Sequence, residues 1–334
     1  MVREKHCFSF LLWLLVVFFV LCWGAGEAIA VEKVAYRLKW LINASTAGDV
    51  FALEGGFFSQ AELEVEVKAG GPERDAIREL EMGYAQFGVA SSDQVIRAVA
   101  KGAEVMVLAQ LFQINPLQWI YRSDAIVLSQ IQDLAGKTVG ITYGGNDETI
   151  MRALLAIGGL DENKVRLAGV RYDYTAFFQK RIPIWPVYRN TQGIILADKL
   201  KTGGEKAGFF NPSQFGVRFV ANSVVTSKKL VDKRPELVAR FTQALLNGWK
   251  AAMEPVNEMD VVLALAKHDR DTPTEIVQRQ LAATRKMIQP DPKTPLGKID
   301  TKAWLQTEQI MVQQKLISAP VRILKHLTTG DNEM

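Results

Sequence analysis

Cysteine is nearly absent from the 334-residue chain, which has only Cys7 and Cys22, and histidine occurs three times. Both cysteines fall in residues 1–30, a stretch built like a secretory signal. It has a basic start (Arg3, Lys5), an apolar run from Phe8 to Trp23 broken only by Ser9, and Ala28-Ile29-Ala30, the small-x-small pattern that a signal peptidase accepts. Removing it leaves a chain without cysteine, which excludes a disulfide, a thiolate nucleophile and a zinc–thiolate centre. An uncleaved anchor is the competing reading, because the apolar run approaches the lower limit for a membrane span. Leu21 and Trp23 are too bulky beside Cys22 for a lipid-attachment box, and no later stretch approaches spanning length.

The other scarcities exclude further classes. His6 is lost with the signal, and His268 and His326 lie far apart without a cluster of Asp or Glu at ligand spacing, so neither a metal nor any other cofactor is expected. His268, between Lys267 and Asp269, reads as a surface histidine. The net charge of +4 is small and is spread through pairs such as Lys228-Lys229 and Lys233-Arg234 without interleaved aromatics. These read as a solvated face, not a nucleic-acid surface. There is no repeat, low-complexity tract or P-loop.

What is present is a repeated pattern. Three apolar runs, Val34 to Trp40, Leu63 to Lys68 and Ala85 to Ala90, each end in a small polar turn that opens a helix. The turns are 41–48, Gly70-Gly71-Pro72-Glu73 and Ser91-Ser92-Asp93. In an α/β domain such turns gather on one edge of the sheet, where ligands bind. Pro72 is placed to open a helix running to about Glu81, and Ser91 or Ser92 to cap the next through Lys101.

About three hundred residues exceed what one core usually holds, so two lobes are expected. The first spans residues 31–117 and 222–334; the second spans 118–221. In the second, strands are expected at Trp119 to Tyr121, Ile126-Val127, Thr138 to Thr142, Val165 to Val170, Arg181 to Val187, Gly193 to Leu196 and Arg218 to Val220. The strand 138–142 again ends in a glycine turn, Tyr143 to Glu148, before a helix from Thr149 to Ile157. After Asn222 the chain is read as helical, with helices from Pro235 to Lys250, Glu258 to Lys267, Thr274 to Met287 and Lys302 to Lys315.

Val34 to Phe58 resembles the opening of the NMT1/THI5-like family, Trp-x-Pro-Asn-x-x-His-x-Gly followed by an apolar helix and a Gly-aromatic turn. Trp40, Asn43 and Gly48 stand in register, followed by Gly55-Gly56-Phe57-Phe58. Gly70-Gly71-Pro72, Gln86-Phe87-Gly88-Val89 with Asp93, and Leu134 to Gly140 match further family turns in order. The resemblance implies a two-lobed α/β fold of the periplasmic-binding-protein type (type II), with a ligand cleft between the lobes and a helical carboxyl-terminal tail. It implies a periplasmic, monomeric, non-catalytic solute-binding component of an ABC importer. Its partners would be a small-molecule ligand and the permease and ATPase subunits. The ligand class implied is a small heteroaromatic metabolite akin to a thiamine pyrimidine precursor, with sulfonate, taurine or nitrate as the alternative. The family's pyrimidine-synthase branch needs a cysteine-rich motif and an active-site histidine, neither of which this chain has. Ile42 and Thr46 replace the family's proline and histidine, which removes an imidazole from the cleft.

The residues themselves offer matching chemistry. Trp40 presents a face for stacking or belongs to the core. Asn43, Ser45 and Thr46 offer neutral donors and acceptors or cap the helix. Gly71 allows close backbone approach, and Ser92 and Asp93 head a helix amino end that favours polar or anionic groups. Gly145, Asn146 and Glu148 form the corresponding turn of the second lobe, Asn146 as ligand or cap and Glu148 as acceptor for an amine. In 182–191 two prolines impose an extended path that would present Trp185, Tyr188 and Asn190. Tyr188 and Asn190 share one face toward the cleft, with Arg189 on the other.

Overall fold

The structure, a computed structural model, describes residues 31–328 apart from Pro72 and Tyr172. The signal reading of residues 1–30, with Cys7, Cys22 and His6, lies outside the described residues. No helix among the described residues is long and apolar enough to cross a membrane.

The chain begins with β1 (Glu32–Arg37), a 3-10 turn (Ala44–Thr46), α1 (Ala47–Glu54), α2 (Phe57–Gln60), β2 (Leu63–Lys68), α3 (Ala76–Met82), β3 (Phe87–Ala90), α4 (Ser92–Ala100) and β4 (Val105–Gln110). It continues with β5 (Leu117–Arg122), β6 (Thr138–Ile141), α5 (Asn146–Ile157), β7 (Arg166–Gly169), α6 (Thr175–Phe178), β8 (Trp185–Tyr188), α7 (Gln192–Thr202) and β9 (Ala207–Phe210). After β10 (Ser223–Ser227) come α8 (Lys228–Lys233), α9 (Pro235–Met253), α10 (Glu258–Ala266), α11 (Thr274–Ile288) and α12 (Thr301–Gln313).

The first sheet has the order β2-β1-β3-β10-β4. Strand β1 runs parallel to β3, while β10 is antiparallel to both β3 and β4. The second set repeats this plan. Strand β5 lies between β8 and β9, antiparallel to each, and β6 pairs in parallel with β7. A parallel bridge from Val139 to Ile184 and a hydrogen bond from Gly140 N to Ile184 O (2.8 Å) join the two pieces. The resulting order is β7-β6-β8-β5-β9. In each sheet the antiparallel strand is the one that arrives directly from the other sheet.

Local sequence accounts for these elements. In β2, Leu63 and Val65 are buried while Glu64 and Glu66 are exposed, the alternation of a half-covered strand. Strand β5 is buried along its whole length, and Trp119 at its centre donates through Nε1 to Gly140 O at 2.9 Å. Helix α9 starts with Pro235 in its first turn and buries Phe241 against Phe87, with ring centroids 3.7 Å apart and nearly parallel planes. Full burial of such a ring stabilises by roughly 2–3 kcal/mol. Helices α1 and α9 meet through reciprocal glycines. A Cβ on Gly48 would lie 2.0 Å from the Trp249 ring, and one on Gly248 would lie 2.5 Å from Ala52.

Several sequence expectations are corrected. The helix expected from Pro72 starts at Ala76, because Asp75 supplies the cap by accepting from Ile77 N at 2.8 Å; Pro72 lies outside the described residues. Gly193 to Leu196 is not a strand. It belongs to α7, whose buried Leu196 and Leu200 are one helical turn apart, so the β-branched Ile194-Ile195 pair misleads when read alone. Ile126-Val127 and Arg218 to Val220 form no strand, and β9 and β10 are strands the sequence does not signal. Trp185 is a core residue, packed against Tyr174 and Phe177 and only 2% exposed.

Candidate functional site

The turns at the strand ends form two facing walls. On the first, Gly70 presses against the end of β1: a Cβ there would lie 2.1 Å from Leu38 O, and Gly70 N donates to Trp40 O at 2.9 Å. Only glycine permits this approach, which holds half-buried Trp40 beside half-buried Gly71. Asn43 caps the 3-10 turn, its Oδ1 accepting from Ser45 N (2.8 Å), and Thr46 Oγ1 donates back to Asn43 O (2.9 Å). Thr46 is buried by this arrangement, so the hydroxyl that replaces the family's imidazole closes the turn.

The third turn divides its duties. Ser91 caps α4 in a box with Gln94, while Ser92 Oγ accepts from Val220 N at 3.0 Å and lies 3.2 Å from Thr307 Oγ1. Ser92 thus fastens the chain crossing and α12. Buried Asp93 accepts from Ser91 Oγ at 2.7 Å and has its second oxygen 3.7 Å from Arg97.

The second wall is built around the amino end of α5. Gly145 precedes the helix, and a Cβ there would crowd Thr142 O at 2.8 Å. Asp147 is buried and accepts from Thr142 N at 2.6 Å. Burial raises its carboxyl to about 6, opposed by the Thr142 bonds and the positive charge of Lys39. Glu148 is committed: it accepts from Gly144 N (2.7 Å) and from Arg152 Nε (3.1 Å). The Asn146 side-chain nitrogen is buried without a protein partner.

Direct bonds join the walls. Asn190, fully buried, donates through Nδ2 to Ser45 Oγ (3.0 Å) and to Thr284 Oγ1 (2.8 Å) of α11. Thr284 donates its own proton to Gln280 O (2.8 Å), so its oxygen can only accept from Asn190, which fixes the amide orientation. The Asn190 carbonyl oxygen is left buried and unpartnered. Tyr188 OH accepts from Lys39 Nζ (3.0 Å) and lies 3.5 Å from Asn222 Oδ1. Arg97 donates to Thr149 Oγ1 at 2.6 Å. Arg189 turns the other way and covers Phe209, 5.0 Å from the ring centre. A separate cavity of ≈ 310 Å³ lies along both chain crossings, lined by Phe112, Asn115, Leu117, Pro212, Phe219 and Val220 among others. None of the site residues named from the sequence lines it.

The family model described as NMT1/THI5 like matches residues 43–258, well over half of the chain. The chain belongs to the NMT1/THI5-like family. This family member is 26% identical over 250 residues to the riboflavin-binding protein RibY of Chloroflexus aurantiacus, covering 72% of this chain and 69% of that one. It is 24% identical over 287 residues to the formylaminopyrimidine-binding protein of Halalkalibacterium halodurans, covering 84% of each. Among solved structures it superposes on the alkanesulfonate-binding protein SsuA of Xanthomonas axonopodis pv. citri, bound to MOPS, with a TM-score of 0.68. That match has 16% identity and covers 90% of this chain and 99% of the other. The fold is that of the periplasmic binding proteins.

In this NMT1/THI5-like protein the structure also brings in residues the sequence did not single out. Lys39, Arg97, Asp147, Asn222 and Thr284 all stand at the meeting of the walls. Lys39 had a signal of its own, since it directly precedes Trp40 at the end of the first alternating run. Thr284 had none, because it comes from the expected helix Thr274 to Met287, far in sequence from every turn that points to the site. His268 is not idle on the surface: its ring meets Glu54 at 3.2 Å.

Proposed function

We propose that this protein is the solute-binding component of an ABC importer. Residues 1–30 direct it to the periplasm and are cleaved, and it works as a monomer alongside a permease and an ATPase. The two sheets are the cores of two lobes, 31–117 with 222–334 and 118–221, and the ligand is captured between them by closure of an open form. The reading best supported for the ligand is a small flat heteroaromatic metabolite of the thiamine-pyrimidine-precursor kind. The wall residues Trp40, Asn43, Thr46, Gly71, Ser92, Asp93, Gly145, Asn146, Glu148, Tyr188 and Asn190 differ in role on this reading. Trp40 and Tyr188 supply ring faces, Asn146 and Asn190 supply polar contacts, and Asn43, Thr46, Ser92 and Glu148 hold the turns in shape.

One observation carries the reading: the Asn190 carbonyl oxygen is buried at the junction of the walls without a donor. A buried acceptor left unmade costs about 1–3 kcal/mol, which a ring N–H or exocyclic amine recovers and a nitrate or a simple alkanesulfonate, having no donor, does not. Catalysis of the synthase kind has no support from the side chains, since the mature chain lacks cysteine and its wall turns carry no histidine.

Thermal-shift and calorimetric titration of the mature protein decide the matter, with thiamine pyrimidine precursors, riboflavin, taurine, alkanesulfonates and nitrate as ligands. Stabilisation by a ring compound, lost in Trp40→Ala, is expected. Stabilisation by the anions alone, untouched by Trp40→Ala, overturns the heteroaromatic reading.

A further inference from the structure

Lys39 is the cation at the centre of the walls, and it lacks what other inner cations of this protein have. Arg37 is paired with Glu79 at 2.8 Å, Arg122 with Glu205 at 2.8 Å and Arg285 with Glu258 at 2.5 Å. The half-buried Lys39 ammonium has a neutral phenol, Tyr188 OH at 3.0 Å, as its short contact, and its Nζ lies 5.6 Å from the centre of the same ring. None of the ion pairs within 4.0 Å among the described residues includes Lys39. Asp147 feels its charge from beyond ion-pair distance, so the ammonium has a remote counter-charge and no direct one. A second orphan donor, the buried Asn146 side-chain nitrogen, stands beside Asp147 in the first turn of α5. A half-buried ammonium is costly until a counter-charge meets it, and orphan donors near it want acceptors.

We infer that Lys39 is a specificity-determining residue of the cleft, its ammonium meeting an anionic group of the phosphate, carboxylate or sulfonate class on the captured ligand. The inference rests on the reading of the walls as a ligand cleft. It adds a demand that stacking and the Asn190 acceptor do not make: the ring compound carries a negative charge. Because the ammonium reaches Tyr188 of the opposite wall, an anion held at Lys39 lies at the junction of the two walls.

Matched pairs test it: riboflavin with riboflavin 5′-phosphate, and 4-amino-5-hydroxymethyl-2-methylpyrimidine with its phosphate ester, titrated calorimetrically into the mature protein. The wild type is expected to bind the phosphorylated member of at least one pair tenfold or more tighter, with the preference shrinking as salt rises. Lys39→Met abolishes the preference, while Lys39→Arg keeps it. Equal binding of both members by the wild type overturns the inference and leaves the heteroaromatic reading standing. A preference that survives in Lys39→Met also overturns it. If only taurine or an alkanesulfonate binds, and Lys39→Met abolishes that, the role of Lys39 holds and the heteroaromatic reading fails. Failure of every probe to bind the wild type counts against both. The salt dependence in the wild type keeps the test decisive should the Met variant not fold.

Discussion

Asn190, in the turn after β8, donates to Ser45 Oγ in the turn after β1 at 3.0 Å, and the same nitrogen reaches Thr284 of α11 at 2.8 Å. Three segments far apart in sequence thus share one amide group. On the proposed capture of a ligand by lobe closure, this clasp holds only with the walls together and so adds to the stability of the closed form.

Asn190→Ala removes both bonds and strands the partner hydroxyls. A loss of about 1–3 kcal/mol is expected. Calorimetry should show a lower Tm, and X-ray scattering of the unliganded protein a larger radius of gyration. An unchanged Tm and radius would show that the clasp contributes nothing to closure.

Gly48 and Trp249 predict a packing effect. Gly48→Ala puts a methyl group 2.0 Å from the indole, and the cost is expected to be at least about 2 kcal/mol in denaturant unfolding. Trimming the partner as well, in Gly48→Ala with Trp249→Leu, should cost less than the sum of the single changes. Strict additivity would contradict the contact.

Asp49 gives a pH dependence. It lies buried in α1, accepts from Tyr36 OH at 2.6 Å, and burial raises its carboxyl to about 7, with the Tyr36 bond opposing. The folded protein therefore holds this proton more tightly than the unfolded chain. The resulting stability is present below about pH 4 and is lost as pH rises toward and through 7. Asp49→Asn has no proton to lose, so relative to wild type it should gain on the order of 2–4 kcal/mol between pH 5 and pH 8. Denaturant titrations at the two pH values check this, and parallel pH profiles would refute the burial of an ionisable group there.

Glu148 separates scaffold from contact. Its carboxylate is spent on Gly144 N and Arg152, so Glu148→Gln should shift the affinity for any bound ligand by less than about threefold. The lost charge at the α5 amino end should cost roughly 0.5–1 kcal/mol of stability. A tenfold fall in affinity without a change in Tm would reassign Glu148 to the ligand.

The sequence made the first wall legible because β1, β2 and β3 end in turns whose residues have strong local meanings: Gly70 needs room, Ser91 caps, Asn43 caps. The same conspicuous residues are spent on structure: Thr46 and Glu148 on their own turns, Ser92 on Val220 and Thr307. Strand β10 shows no alternation because both of its faces are buried, Val224 in one core cluster and Val225 in another. Helix α7 is not legible from 193–196 alone, because its period appears only with Leu200, four residues beyond Leu196. Thr284 reaches Asn190 across 94 positions, a separation that no window of local pattern spans. Lys39 was passed over because a lysine at a strand end reads as solvated until Tyr188 is placed against it.

The exchange of β5 and β10 has a consequence for how the chain is made. While the polypeptide emerges, β3 and β4 stand beside an empty slot that β10 alone fills, and β10 appears only after the whole of the other sheet has been synthesised. An edge left open that long invites mispairing, which favours folding once the chain is complete over folding during synthesis. A cut anywhere between β5 and β10 would accordingly spoil two sheets at once, leaving neither fragment a self-sufficient half.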